Sequence, residues 1–141
     1  MKISEFEKAI LDSLNYYGQG MNLRDEGTSF LNFITSLEII LTNTWEPQKG
    51  LLAERVALLI GENSDHRIEI FDEIERLYEL RNNLIHNGIN KIKYSDITIL
   101  SYILFQTLII LIQMTKTIRS ISELKNKFNK LKFNSPLWNK C

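Results

Sequence analysis

The sequence predicts an all-α protein: a single domain over residues 1–141, folded as a bundle of about five helices with the last long helix buried in the core. Three observations carry this. Pro47 and Pro136 are the two prolines in 141 residues, so few positions interrupt a helix. Apolar residues recur every three or four positions over long stretches, the spacing of one helix face rather than the alternation of a strand. A chain with 44% hydrophobic residues has enough apolar side chain at this length to fill one core but not two.

The first helix runs from Ser4 to Tyr17, with Ser4 and Glu7 spaced as a capping box. "GQGMNLRDEG" follows and reads as a loop, since glycine and polar residues crowd it. The second helix spans Thr28 to Thr44, beyond which Pro47 forbids extension. The third is "LLAERVALLI", closed by Gly61. The fourth opens at Ser64 or Asp65 and reaches His86, with Asn87-Gly88 as a left-handed stop. The fifth starts near Ser95-Asp96 and continues toward Arg119. Residues 120–141 form a basic C-terminal tail or an extra amphipathic helix, "SELKNKFNKLKF".

Within the fifth helix, residues 97–114 carry no charge and approach the length of a membrane span. Thr98, Ser101, Gln106, Thr107 and Gln113 interrupt the run, and a helix enclosed in a small bundle has the same composition. The expectation is a core helix and no membrane. Met1 to Leu14 mixes charged and apolar residues throughout, so no secretory leader is read there. Cys141 is the single cysteine, which excludes an internal disulfide and fits a reducing, cytoplasmic setting.

Formal net charge is zero, so no global field draws in nucleic acid. Charge is nevertheless segregated. Acids dominate from Glu62 to Glu79, and bases dominate from Lys116 to Lys140. A solvated helix face accounts for the basic segment more simply than phosphate binding does.

Placing side chains at roughly 100° per residue puts Ile70, Phe71, Ile74, Leu77, Tyr78, Leu84 and Ile85 on one apolar arc of the fourth helix. Arg81 falls near the middle of that arc. A buried unpaired guanidinium is costly, so Arg81 must meet a carboxylate, another chain or an anionic ligand. Asn82 and His86, four apart, share one flank of the arc. The second helix carries Glu38 on the face of Phe30, Ile34, Leu37 and Leu41, and the third carries Arg55 between Leu51, Leu58 and Leu59. Glu38 is thus a partner for Arg55 or for Arg81, with Glu38–Arg55 the expected structural ion pair. Helix capping explains Asn87-Gly88 and tolerates a cation in the last turn, but it does not explain Arg81.

"FLNFITSLEIIL" with its embedded glutamate, "LLAERVALLIG", and "LYELRNNLIHNG" followed by a long apolar helix together resemble the Apea-like branch of the HEPN superfamily, over about residues 28–115. The resemblance implies a helical bundle that dimerises and brings two arginine-to-histidine motifs together. It also implies a metal-independent endoribonuclease of a toxin–antitoxin, abortive-infection or other antiviral defence system. Carried over, Arg81 and His86 are the motif's pair, and Asn82 is the polar residue after the arginine. A related branch places a modifiable tyrosine two positions after the histidine; here that residue is Gly88, so that form of control is not inferred. Some members serve only as RNA-binding or assembly modules, which is the alternative reading.

Residue types match the chemistry. Cleaving RNA without a metal needs a base for the ribose 2′-hydroxyl, an acid for the leaving oxygen and a cation for the phosphorane charge. Histidine serves either proton-transfer role near neutrality, and arginine's planar fork suits phosphate oxygens. One motif supplies one imidazole, so acid–base catalysis asks for His86 from both chains of a homodimer. The expected partners are therefore RNA, a second copy and an antitoxin or defence-system protein. No cofactor and no metal are expected. His66 beside Asp65 is read as exposed, and two histidines without a close cysteine or carboxylate cluster make no zinc pattern. "GQG" precedes no strand–helix unit, and Trp45 and Trp138 read as packing residues.

Overall fold

The computed structural model describes residues 2–22, 25–42 and 50–133. Six helices form the described chain: α1 (Glu5–Asn22), α2 (Glu26–Leu41), α3 (Leu51–Ile60), α4 (Ser64–Asn87), α5 (Tyr94–Met114) and α6 (Ile121–Phe133). The fold is all-helical, with no strand among the described residues. The expected count of about five is short by one, because the basic segment forms α6 rather than a tail. Leu124 and Phe128, four apart, anchor α6 in the core, and its Lys132 reaches Glu54 of α3 at 2.7 Å. Trp45, Pro47, Pro136 and Trp138 lie outside the described residues.

Several boundaries differ from the sequence reading: α2 ends at Leu41 rather than Thr44 and α5 at Met114 rather than near Arg119, and the junction of α1 and α2 shifts as well. α1 does not stop at Tyr17 but runs through Gly18 and Gly20 to Asn22. Gly20 is needed inside the helix, since a Cβ there would lie 2.6 Å from the Phe33 ring of α2. Its carbonyl also accepts a hydrogen bond from the Ser29 hydroxyl. The glycine that suggested a loop instead permits close helix approach, and tertiary packing overrides its weak propensity. α2 starts at Glu26 rather than Thr28 because Asp25 caps it, accepting from the Thr28 amide at 2.8 Å. At the N-terminus of α1 the capping box is present: the Ser4 amide donates to Glu7 at 2.8 Å and the Glu7 amide to the Ser4 hydroxyl at 3.1 Å.

α1 and α2 form an antiparallel pair locked by a buried polar clasp. The Ser13 hydroxyl donates to the Ser36 carbonyl and the Ser36 hydroxyl to the Ser13 carbonyl, both at 2.7 Å. Both residues are fully buried. Replacing either serine with alanine should cost about 1–3 kcal/mol through the lost hydrogen bond and the polar groups left behind. The double replacement should cost less than the sum, because the second change removes a group already orphaned. Urea denaturation of the four proteins checks this, and strict additivity would contradict the clasp.

The core is one continuous cluster. Phe30, Phe33, Ile34, Leu37 and Leu41 of α2 meet Ile74 and Leu77 of α4, Leu100, Leu104 and Leu111 of α5, and Phe6 of α1. α2 is central, while α5 is buried on one side only, and the expectation of a wholly enclosed last long helix is corrected here. Its inward residues Leu100, Leu104, Leu108 and Leu111 are buried, whereas Tyr102, Phe105, Ile109 and Ile112 are exposed. By length and composition α5 is also apolar enough to cross a membrane.

Candidate functional site

The motif stands on the last turns of α4, and local sequence explains why the helix ends there. Gly88 adopts φ +64°, the left-handed conformation that side chains other than glycine resist. The Ile89 amide closes the end by donating to the Asn83 carbonyl at 3.1 Å. The apolar arc of α4 proves to be split. Ile70, Ile74 and Leu77 are buried, Phe71, Tyr78 and Leu84 are half-buried, and Ile85 is 47% exposed. Arg81 therefore sits at the rim of the core rather than inside it, half-buried.

Around Arg81 the structure assembles a small polar cluster. Its guanidinium carbon lies 5.3 Å from the Tyr78 ring centroid, one helical turn below, in a cation–π arrangement. One guanidinium nitrogen donates to the Asn82 side-chain oxygen at 3.2 Å. The Tyr78 hydroxyl in turn donates to Glu38 Oε2 at 3.3 Å. Burial pushes the Glu38 carboxyl above the usual carboxylate range, against the opposing pull of the Arg81 charge and the Tyr78 hydrogen bond. Burial and the negative charge of Glu38 likewise raise the Tyr78 phenol, with Arg81 again opposing. Arg81 acts on Glu38 through space, and among the described residues it has no carboxylate in direct ion-pair contact. Its other N–H groups make no hydrogen bond to a described residue.

His86 projects from the last turn and is exposed, with no hydrogen bond to a described residue. Asn82 orients Arg81, not His86. The Glu38–Arg55 ion pair is not formed. Arg55 is buried and donates instead to the Leu41 carbonyl, with its guanidinium 5.3 Å from the Phe128 ring centroid. The cause is the unsatisfied carbonyls at the end of α2, which attract a cation more directly than a glutamate one turn back. Arg55 thereby ties α2, α3 and α6 together. His66 is half-buried rather than exposed: its Nδ1 accepts the Glu62 amide at 3.1 Å and helps close the start of α4. Among the described residues no group of histidine, cysteine or carboxylate side chains is arranged to hold a metal ion.

The chain matches no family model, no curated protein and no solved structure. The site therefore rests on its own geometry. Sequence reasoning missed Tyr78 as part of it, since on the helical wheel it was one apolar residue among several. Its signal was the spacing to Arg81, three positions, at which an aromatic face and a cation meet.

The raised Glu38 carboxyl gives a pH prediction. A group whose folded pKa exceeds its unfolded value stabilises the fold fully below the unfolded pKa and loses that contribution as pH rises through the folded one. The stability of the natural chain relative to Glu38→Gln should therefore decline as pH rises through and above the glutamate range. Urea denaturation across that range tests the sign, and an advantage that grows with pH would contradict the burial of Glu38.

Proposed function

We propose that the chain is a metal-independent endoribonuclease of a bacterial or phage defence or toxin–antitoxin system, working as a homodimer of the HEPN type. The observation that carries this reading is Arg81. It is a half-buried guanidinium held by Tyr78 and Asn82, short of acceptors, one helical turn and a residue before an exposed imidazole. Tyr78 and Asn82 restrict its rotamers, so less entropy is lost when phosphate oxygens occupy the fork. Glu38 hydrogen-bonds Tyr78 and makes no direct ion pair with Arg81 among the described residues, so the guanidinium is not neutralised by a contacting carboxylate.

In the proposed reaction one His86 removes the proton of the ribose 2′-hydroxyl as that oxygen attacks phosphorus. The phosphorus–5′-oxygen bond breaks, and the partner protomer's imidazolium gives its proton to the leaving 5′-oxygen. Arg81 neutralises the equatorial oxygens as charge accumulates. The products are a 2′,3′-cyclic phosphate and a 5′-hydroxyl. The purified protein should cleave RNA in excess EDTA and leave those ends, and a substrate with a 2′-deoxy residue at the scissile position should resist. Cleavage of the deoxy substrate, or loss of cleavage on chelation, would refute the mechanism.

A second reading, a catalytically silent module for RNA binding or assembly, draws support from the exposed apolar side of α5. Under that reading the same assay yields no cleavage from the natural chain with any RNA.

A further inference from the structure

The outward side of α5 is a surface the catalytic reading does not use. Tyr94 is 74% exposed, Tyr102 62% and Phe105 51%, with Ile99, Ile109 and Ile112 beside them. Six large apolar or aromatic residues exposed on one helix are more than the scattered single exposures ordinary for a soluble surface, and they mark it as an interaction surface. The N-terminal end of this surface and the Glu38 part of the Arg81 cluster lie against different faces of α2. Ser29 and Phe33 of α2 line a pocket with Ile97, Thr98 and Ser101 of α5. Glu38 comes nine positions after Ser29, about two and a half turns on and so on the far side of the helix.

Two features specify what covers the patch. The first is spacing. Thr98, Tyr102, Phe105, Ile109 and Ile112 follow one another at intervals of four, three, four and three, the seam onto which another helix packs lengthwise. The second is charge. No exposed acid lies on α5, whose Asp96 is buried and held by Arg76 at 2.8 Å. Exposed Lys91 and Lys93 stand before the stripe and Lys116 after it. Lys127 and Lys130 of α6 line a groove of about 520 Å³ beside Ile110 and Gln113. The acids near the ends of α5 are engaged or lie beside the stripe. Glu73 pairs with Arg76, which also holds Asp96, and Glu7 pairs with Arg119 at 3.2 Å. Glu26 lines the pocket under Tyr94, and Glu123 accepts from the Arg119 amide at 2.9 Å.

We propose that the α5 stripe docks an amphipathic helix of another protein, one with an apolar seam of matching spacing and acidic residues at both ends. A second copy fits poorly. A parallel pair sets Lys91 and Lys93 against their mates, and an antiparallel pair sets them against Lys116, so like charges oppose in either orientation. A lipid surface fits poorly too. An interfacial helix carries cations along its own polar side, whereas α5 itself borders the stripe with Ser95, Gln106 and Gln113, and the cations of its flanking segments, Lys91, Lys93 and Lys116, stand at its ends. The proposal stands independently of RNA cleavage.

The test uses two synthetic helical peptides of the length of α5, with leucines at the same spacing. One has glutamates at both ends and the other has lysines. The full chain should bind the glutamate-ended peptide more tightly by about tenfold or more, in a salt-dependent way. Tyr102→Glu with Phe105→Glu should remove binding while circular dichroism and melting stay unchanged, because both residues are exposed. Lys91→Glu with Lys93→Glu and Lys116→Glu should invert the preference between the peptides. Equal affinity for both peptides, or for neither, would overturn the proposal. So would vesicle binding (phosphatidylcholine with phosphatidylglycerol) or homodimerisation that the Tyr102 and Phe105 replacements abolish.

Discussion

His86→Ala should reduce RNA cleavage by about 10²–10⁴-fold, the usual contribution of a positioned general acid or base. His86 is exposed and without a partner among the described residues, so the replacement should leave stability within about 0.5 kcal/mol. Arg81→Ala should cost about 10²–10³-fold, as expected for removing a donor aimed at transition-state charge. Arg81→Lys should recover little of it, since an ammonium keeps the charge but neither stacks on Tyr78 as a plane nor presents a fork. Single-turnover cleavage of a labelled RNA in EDTA measures all three. A His86→Ala protein that cleaves at the natural rate would remove the histidine from the mechanism.

Leu77→Ala should destabilise the fold by about 2–5 kcal/mol. Leu77 is fully buried on α4, one turn below Arg81, and joins the cluster that unites α4 with α2 and α5. Truncation leaves a cavity that the facing leucines of a close-packed interior fill only in part. Ile85→Ala on the same helix, at a position 47% exposed, should fall within about 0.5 kcal/mol of the natural chain. The contrast matters because the two residues look equivalent on a helical wheel. Equal effects in urea denaturation would mean that the α4 arc is buried along its whole length, and Arg81 with it.

Much of the architecture was legible in residues with strong local signatures. Ser4 and Glu7, Gly61 and Gly88 each mark a helix end whose hydrogen bonds are local, so the surrounding fold scarcely alters them. Gly20 was misread because its role is set by Phe33, a tertiary neighbour. α5 was misread because an apolar residue facing solvent and one facing the core have identical chemistry, and composition does not separate them. The site was half legible. Arg81 stood out through its place among apolar neighbours, and its link to Glu38 through Tyr78 followed from helix packing that no spacing rule supplies. Arg55 shows the opposite limit: a charge pattern suggested Glu38, and the carbonyl end of α2 captured it instead.

The central claim is that two copies of the motif meet across one cleft. The most direct measurement is the dipolar coupling between protomers carrying a nitroxide label at Asn87→Cys, in a Cys141→Ser background. Asn87 is exposed and adjoins His86 at the end of α4, so labelling leaves both motif residues in place. The composite-site account predicts one strong, well-defined coupling between the two labels and a much weaker one when the label is moved to Tyr102→Cys on α5. No coupling at position 87, or a stronger one at position 102, would contradict it.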